Sequence, residues 1–224
     1  QQTITGISSL INQTNNKYGI LRIMMNEAKC SSLLGDMVFI RTRLELVEGN
    51  LRLNNHTLTI ENGNADAIRH IRGYIESDID ATSLQNILCW KNMTAGIHEF
   101  PFGRSVSIYL PVLFNLITGI GNDVSISTRR TFVNNLPYPS NTGILSPDVT
   151  YAEFNAVDRW WTVSTTGVKA DITLTYCGDE NTISTDLAKG SLYALQWTGT
   201  SWTRLISSSP GTTYKTGTIN LRNV

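Results

Sequence analysis

The feature that most constrains this sequence is the run of residues 43–60, in which apolar and polar side chains alternate between small turn residues. In Arg43-Leu44-Glu45-Leu46-Val47-Glu48 the alternation has the two-residue period of a half-buried β-strand. Gly49-Asn50 and Asn54-Asn55 are turn pairs, since asparagine and glycine tolerate the left-handed backbone conformation. Around the second turn the apolar side chains point one way and the polar ones the other: Leu51, Leu53, Leu58 and Ile60 against Arg52, Thr57 and Thr59.

Short strands of the same kind fill the rest of the N-terminal region. They are predicted at residues 20–25, 37–46, 51–53 and 57–60, with Gly and Asn between them. Strands that recur about every 8 to 12 residues indicate a sheet that winds or meanders, and they disfavour βαβ units. Residues 65–79 carry some apolar residues at helical spacing, but Gly73 and several isoleucines favour strands. We therefore predict short, winding or solenoid-like strands over residues 1–92.

From Gly96 onward the strand pattern is denser, and a turn signal separates nearly every pair of strands. Strands are predicted at residues 97–102, 106–114, 123–130, 160–163, 170–176, 192–197, 202–205 and 216–221. This number and rhythm is typical of a β-sandwich with an immunoglobulin-like layout. We predict such a sandwich over residues 93–224, in an all-β chain.

Two segments of the predicted sandwich have a more specific expectation. The clearest hairpin joins residues 192–197 to 202–205 through a four-residue loop that contains Gly199 and is flanked by Trp197 and Trp202. Residues 136–150 contain three prolines, which prevent ladder pairing, and are expected to form an irregular loop or crossover.

The composition limits the partners that the chain attracts. The 224 residues include 18 basic and 18 acidic side chains, so the formal net charge is zero and no long-range field draws the protein to nucleic acid or to an anionic membrane. The most apolar stretch, residues 107–120, is broken by Pro111, Asn115 and Gly119, so no membrane span is predicted. Only 16% of residues are charged, and the abundance of Ser, Thr and Asn is more usual in extracellular β proteins.

The first residues bear on localisation. Gln1-Gln2-Thr3 carries no methionine, basic region or apolar segment, which is how a mature protein looks after its signal peptide is removed. We therefore expect a secreted or cell-surface protein.

Five short motifs follow one another in an order that resembles a known group of proteins. They are Gly49-Asn-Leu-Arg-Leu-Asn-Asn-His-Thr-Leu-Thr-Ile60, Gly73-Tyr-Ile75, His98-Glu-Phe-Pro-Phe-Gly103, Asp158-Arg-Trp-Trp-Thr-Val163 and Leu195-Gln-Trp-Thr-Gly-Thr-Ser-Trp202. This order resembles the extracellular β-rich modules of exported surface proteins of Bacteroidetes, which are often cargo of the type IX secretion route. The resemblance implies solenoid-like turns before a sandwich, neighbouring domains in a larger protein, and a structural or adhesive role without a defined activity.

Motifs of catalysis are missing from the sequence. His56, His70 and His98 lie in separate segments, and none belongs to a metal-binding or nucleophile-activating pattern. No nucleophile elbow or phosphate-binding glycine loop is present. Acidic residues such as Asp158 and Asp171 lie in or beside predicted strands and turns, and sequence alone brings no two of them together. We expect the protein not to be an enzyme.

A candidate calcium site lies after the strand predicted at residues 170–176. Asp179, Glu180, Asn181 and Asp186 offer three carboxylates and an amide, the oxygen ligands that calcium prefers. Their spacing does not match the loop of an EF-hand, and the alternative is an acidic hairpin loop. No other cofactor is predicted.

Aromatic residues supply the second candidate site. Trp161, Trp197 and Trp202 are candidate ligand contacts, because the apolar face of an exposed indole stacks on a sugar ring. Trp160 and Trp161 are adjacent on one strand and face opposite sides, so at most one of them packs in the core. For Trp197 and Trp202 the alternative is a cross-strand pair that stabilises the hairpin without any ligand.

The cysteines leave two alternatives open. Cys30, Cys89 and Cys177 are far apart and lack the spacing of a zinc site. One disulfide with one free thiol, or three unpaired cysteines, are both compatible with the sequence.

The leading functional hypothesis is an exported structural or adhesive module that binds an unidentified polysaccharide or protein at the cell surface. The alternative is a carbohydrate-binding module of a larger polysaccharide-degrading protein. Exposed coplanar tryptophans favour that alternative, and fully buried ones count against it. A hydrolase is a further rival that no motif supports.

Overall fold

The fold was described from a computed structural model, which covers residues 2–5, 17–25, 30–34, 37–76, 78, 86–104, 108–131, 157–180, 194–204, 217–221 and 224. The described residues form β-strands and two 3₁₀ turns, Ala65–Ala67 and Gly178–Glu180, and no α-helix. The all-β prediction is confirmed. Among these residues there is no helix of the length and apolar character needed to cross a membrane.

Nineteen strands are present in the described part of the chain. The first nine are β1 (Gln2–Thr5), β2 (Lys17–Met24), β3 (Cys30–Leu34), β4 (Met37–Glu48), β5 (Asn50–Arg52), β6 (Thr57–Ile60), β7 (Ile68–His70), β8 (Tyr74–Glu76) and β9 (Ile87–Trp90). The remaining ten are β10 (Gly96–Phe100), β11 (Phe102–Arg104), β12 (Ile108–Tyr109), β13 (Val112–Thr118), β14 (Val124–Arg130), β15 (Arg159–Ser164), β16 (Lys169–Tyr176), β17 (Leu195–Trp197), β18 (Trp202–Arg204) and β19 (Gly217–Leu221).

The N-terminal strands pair in parallel, each with a strand from the next pass of the chain. One sheet has the order β15-β14-β9-β6-β4-β2, with β7 also paired to β4, and a second has the order β1-β3-β5-β8-β11-β12. From β1 to β6, successive strands along the chain join these two sheets in turn. Equivalent positions therefore stack: Ile40 lies beside Ile60 and Ile60 beside Trp90, and all three side chains are fully buried.

Strand β4 is long because it pairs with two strands, β6 and β7, along different parts of its length. Residues Met37 to Ile40 pair with β6, whereas Leu44 to Leu46 pair with β7 further along the chain. The inward side chains of both halves are buried, as the alternation in residues 43–48 predicts.

The outward faces of the parallel strands carry opposite charges in register. Arg22, Glu45 and Arg69 occupy matching positions on β2, β4 and β7. The Arg22 Nε donates to Glu45 Oε2 at 2.5 Å, and this hydrogen bond together with the nearby arginines holds the pKa of Glu45 below its usual value. On the other sheet, Arg52 donates to both carboxylate oxygens of Glu76, at 2.8 and 3.1 Å. Because opposite charges lie next to each other on neighbouring strands, like charges are kept apart along each face.

The pairing changes from parallel to antiparallel at β9. This strand is parallel to β6 on one side and antiparallel to β14 on the other, and β14 continues to β15. A further antiparallel sheet has the order β10-β13-β16-β19. Side chains from both regions join one buried cluster, which includes Leu46 and Leu58 from the parallel strands and Phe114 and Tyr176 from the antiparallel ones.

Two predicted strands are divided in the structure. The strand predicted at residues 97–102 separates into β10 and β11 around Pro101, and the one predicted at 106–114 separates into β12 and β13 around Pro111. Proline has no amide hydrogen for the ladder, and in each case the chain passes from one sheet to another at the proline. The irregular loop predicted at residues 136–150 lies outside the described residues.

Residues 65–79 follow the prediction in part. The segment holds β7 and β8, as its isoleucines favour, but it begins with a 3₁₀ turn at Ala65–Ala67. Gly73 lies between the two strands, where an added Cβ would come within 2.4 Å of the Gly49 carbonyl oxygen. A side chain does not fit there, and this explains the glycine at the bend.

Candidate functional site

Three tryptophans meet on the outer side of β15 and on the hairpin formed by β17 and β18. The ring centroids of Trp160 and Trp202 are 5.2 Å apart, with an angle of 36° between the ring planes. Those of Trp197 and Trp202 are 5.4 Å apart, at 53°. Trp202 therefore contacts both of the others, within the usual range for aromatic pairs. We call Trp160, Trp197 and Trp202 the tryptophan cluster.

The hairpin sequence explains how two of these rings are presented. Trp197 and Trp202 are direct partners in the antiparallel register, so their side chains project from the same face. The loop closes through a hydrogen bond from the Thr198 amide to the Ser201 carbonyl at 3.0 Å. Gly199 has a φ of 97°, which is readily adopted only by glycine.

Trp161 is not part of the cluster. It follows Trp160 on β15, so it faces the opposite side of the sheet, where it packs against the hydrophobic core. Its indole nitrogen is buried and has no hydrogen-bond partner among the described residues. Of the predicted contacts, the structure thus brings Trp197 and Trp202 together and leaves Trp161 apart, and Trp160 joins them instead. The alternation of β15 predicted opposite faces for the two residues but not which face was outward.

Exposed, coplanar tryptophans favour a carbohydrate ligand and fully buried ones count against it. The exposure of the cluster lies between these two cases. All three rings are partly buried, and their planes are tilted to one another. The rings form neither a flat, coplanar platform nor part of the sealed core. Around Trp197 and Trp202 the side chains of Gln196, Thr198, Ser201 and Thr203 are exposed. The result is an aromatic surface with exposed polar residues around the hairpin, and Arg129 lies directly opposite Trp160 in the register of β14 and β15.

The loop predicted to bind calcium contains an ion pair. Glu180 is fully buried, and its two carboxylate oxygens accept hydrogen bonds from Arg159 Nε at 2.8 Å and Arg159 Nη2 at 2.5 Å. The Cys177 amide donates to the same carboxylate at 2.9 Å. A guanidinium at this distance occupies the lone pairs that calcium needs and repels a second cation.

The other predicted calcium ligands do not complete a site in the described residues. The Asp179 side chain, Asn181 and Asp186 lie outside what the structure describes. Within the described part of the chain, no three His, Cys, Asp or Glu side chains are placed to share a metal ion. Glu180, the one predicted ligand whose side chain the structure describes, is a partner of Arg159.

Two more charged residues, Asp78 and Arg104, join this pair. Asp78 accepts hydrogen bonds from Arg159 Nη2 at 3.1 and 3.3 Å, and Arg104 lies 3.7 Å from both Asp78 and Glu180. We call Asp78, Arg104, Arg159 and Glu180 the buried ionic cluster. Burial alone would lower the pKa of Arg159, but the hydrogen bond to Glu180 and the charges of Asp78 and Glu180 outweigh it and raise that pKa. The cluster ties β11 and the segment after β8 to β15 and to the 3₁₀ turn that follows β16.

A second polar group lies where β7, β10 and β12 meet. The rings of His70 and Tyr109 are stacked, with centroids 4.2 Å apart and planes at 8°. The Tyr109 hydroxyl donates to Glu99 Oε1, and His70 Nδ1 lies 3.4 Å from the same oxygen. Burial and Glu99 both raise the pKa of Tyr109, so the phenol stays protonated as a donor. Burial lowers the pKa of His70, and Glu99 opposes this shift. No spacing in the sequence predicts this arrangement.

No disulfide joins Cys89 to Cys177 in the structure, and both residues are of intermediate exposure. The side chain of Cys30 lies outside the described residues.

Comparison of the chain with protein-family models, with curated proteins and with solved structures finds no match.

Proposed function

We propose that this chain is an exported structural or adhesive module that acts by binding at a cell surface, without catalysis. The observation that carries the proposal is the tryptophan cluster, in which three partly buried indoles lie together outside the core. Aromatic residues with a polar border are typical of binding surfaces, where tryptophan contributes more than its share of the affinity. The order of short motifs that resembles exported Bacteroidetes modules supports the same assignment.

The finer architecture belongs to this proposal. We infer a solenoid-like coil that leads into an immunoglobulin-like sandwich with a shared core. The parallel registers of β2, β4, β6 and β9 support the coil, and the antiparallel order β10-β13-β16-β19 supports the sandwich. Such a scaffold suits a structural module, because charged ladders on its faces and the buried ionic cluster at its junction hold the strands in one register.

A carbohydrate is the second candidate ligand, and one feature of the cluster favours it. Trp202 contacts both other rings, and Trp197 is the outer ring that borders the exposed hairpin loop, residues 198–201. In that loop, exposed Thr198 and Ser201 offer hydroxyl groups that hydrogen-bond to sugar hydroxyls. In this case the module would belong to a larger polysaccharide-degrading protein.

A screen of the purified chain against an array of glycans and extracellular proteins tests the proposal. We expect binding that is weakened in Trp197→Ala and retained in Gln196→Ala, a control whose exposed side chain lies on the opposite face of the same strand. A glycan as the ligand supports the carbohydrate-binding alternative, and a protein supports the adhesive module. Binding that is equal in both folded variants, or no binding at all, contradicts the assignment to the tryptophan cluster.

A further inference from the structure

The segments around the tryptophan cluster differ in charge from the chain as a whole. The chain is neutral, with 18 basic and 18 acidic residues. Strands β14 and β15 and residues 194–204, which form or adjoin the cluster, contain no Asp or Glu. They contain four arginines, which are Arg129, Arg130, Arg159 and Arg204. The part of the chain that carries the cluster is therefore locally basic.

Arg129 lies beside Trp160 on the same side of the sheet. The two residues are direct partners in the antiparallel register of β14 and β15. Residues placed directly opposite one another share a face, with their Cβ atoms about 4.5 to 5.5 Å apart. Both side chains are partly buried. Arg129 therefore adds a cationic group to the edge of the tryptophan cluster.

We propose that the tryptophan cluster binds an anionic polysaccharide, in which the indoles contact the sugar rings and Arg129 holds a carboxylate or a sulfate ester. This inference rests on the proposed function and names the ligand class of the same site.

The electrostatics of Arg129 suit this role. Arg159 precedes Trp160 on β15, so its side chain faces the other side of the sheet, where Asp78 and Glu180 bind it. Those two carboxylates thus lie across the sheet from the tryptophan cluster. Burial lowers the pKa of Arg129, which means that its charged form is poorly hydrated. An anion is attracted more strongly to such a cation than to one surrounded by water.

A guanidinium can hold a ligand while it keeps its contacts within the protein. It carries five N–H donors in a planar fork, and two of them are enough to hold a carboxylate or a sulfate through parallel hydrogen bonds. It is also more weakly hydrated than the ammonium group of lysine, so less hydration is lost when a ligand displaces water. Arg129 is therefore able to bind an anionic group beside Trp160.

Hydroxyl side chains near the rings favour a sugar over other anions. Thr162 is exposed and lies two residues after Trp160 on β15, so it is on the same side of the sheet. Exposed Thr198 and Ser201 border Trp197 in the hairpin loop. A sugar ring offers an apolar face to an indole and hydroxyl groups to these side chains, whereas a run of Asp and Glu residues offers no such ring.

Two matched pairs of polysaccharides test the inference on the wild-type protein by titration calorimetry. Polygalacturonate is compared with its methyl ester, which tests a carboxylate, and dextran sulfate is compared with dextran, which tests a sulfate ester. We expect the anionic member of at least one pair to bind about tenfold or more tightly than the neutral member, because hydrogen bonds to ionised groups are the stronger ones. Equal affinity for both members of each pair overturns the inference, and this comparison needs no variant.

Arg129→Gln and Arg69→Gln separate a local role of Arg129 from the effect of overall charge. Each variant loses one positive charge, but Arg69 is exposed on β7, which pairs with β4, and β4 lies three strands from β14. We expect Arg129→Gln to bind the anionic polysaccharide about tenfold more weakly and Arg69→Gln to stay within about twofold of the wild type. No loss in folded Arg129→Gln, or equal losses in the two variants, overturns the inference.

The outcomes also separate this inference from the proposed function. A neutral glycan or a protein that binds through Trp197 and is unaffected by Arg129→Gln overturns the anionic ligand but keeps the binding module. An absence of binding to any glycan or protein overturns both.

Discussion

Arg159 and Glu180 form an ion pair in which both side chains are completely buried, with Nε and Nη2 lying 2.8 and 2.5 Å from the two carboxylate oxygens. Arg159 also donates to Thr128 Oγ1 at 3.0 Å, so a strand of the antiparallel region shares the same guanidinium. A buried charge is tolerated only when it is paired and fully hydrogen-bonded. The pair is therefore a structural requirement of the contact between β15 and the 3₁₀ turn that follows β16.

Replacing Glu180 by glutamine should destabilise the protein strongly. The change leaves the Arg159 charge buried with Asp78 as its remaining close anionic partner, and breaking a buried pair in this way costs about 3 to 5 kcal/mol. Urea unfolding measures the effect. Glu48→Gln is the control, because Glu48 pairs with Arg72 at 3.7 Å on the surface and should change stability by at most about 1 kcal/mol. Similar losses in both variants would contradict a special role for the buried pair.

Gly63→Ala should be among the most damaging single-methyl changes in the chain. The new Cβ would meet the Asn92 carbonyl oxygen and carbon at 1.8 and 2.6 Å, and backbone atoms held by several hydrogen bonds cannot yield easily. We expect a loss of about 3 kcal/mol or more in the free energy of unfolding, or failure to fold.

Gly19→Ala is the matched control for this change. Nothing lies within 4 Å of a Cβ at Gly19 on β2, so its stability should stay within about 0.5 kcal/mol of the wild type. A well-folded Gly63→Ala protein of normal stability would show that the close approach of the two turns is absent.

His70 should make the protein less stable as the pH falls. Burial holds the pKa of His70 below its usual value, against the opposing effect of Glu99, so the folded chain takes up this proton less readily than the unfolded chain. Stability attributable to His70 is therefore present above about pH 6.5 and declines below it. In His70→Phe, which keeps a ring to stack on Tyr109, urea unfolding at pH 5 and pH 7.5 should show a smaller acid loss than in the wild type. An acid loss as large as that of the wild type would rule out His70 as its source.

Removing the middle ring of the tryptophan cluster should loosen the hairpin. Trp202 contacts Trp160 on β15 and Trp197 across the hairpin, so Trp202→Ala removes both contacts, whereas Trp197→Ala removes one. We expect Trp202→Ala to cost about 1 to 2 kcal/mol more than Trp197→Ala, and to expose residues 194–204 to limited proteolysis. If the two variants resist protease equally, the hairpin is not held by Trp202.

The alternation in residues 43–60 was enough to predict the strands and most of their inward faces. Leu51, Leu53, Leu58 and Ile60 are all fully buried, as their spacing indicates. Thr59 and Glu45 are exceptions: the alternation predicts that both face outward, and each is 5% exposed. The parallel pairing was not predictable in the same way, because a two-residue period is the same in either direction and each partner strand comes from another pass of the chain.

The candidate sites were harder to predict from the sequence, because their residues also come from separate parts of the chain. Glu180 and Arg159 are 21 residues apart in the sequence. The acidic residues around Glu180 predict a calcium site, because nothing in their spacing indicates that an arginine lies beside Glu180 in the fold. Trp160 and Trp161 lie on opposite faces of β15, and the sequence does not indicate which face is outward. In the structure the hairpin packs against Trp160, so the face that carries Trp160 is the outer one. Pro101 and Pro111 are the opposite case, because the residue type alone is enough to predict the structure. Both lie inside predicted strands, and proline has no amide hydrogen for the ladder, so a break is expected at each.

The central claim is that the protein binds its ligand through the tryptophan cluster. The most direct test is the dissociation constant of a ligand that the array screen identifies. It is measured by titration calorimetry for the wild type, Trp197→Ala and Gln196→Ala, each confirmed to be folded. We predict at least a tenfold weaker affinity for Trp197→Ala, since loss of a main aromatic contact costs roughly 1.4 kcal/mol or more, and a change of at most about twofold for Gln196→Ala. Equal affinities for the three folded proteins would contradict the claim.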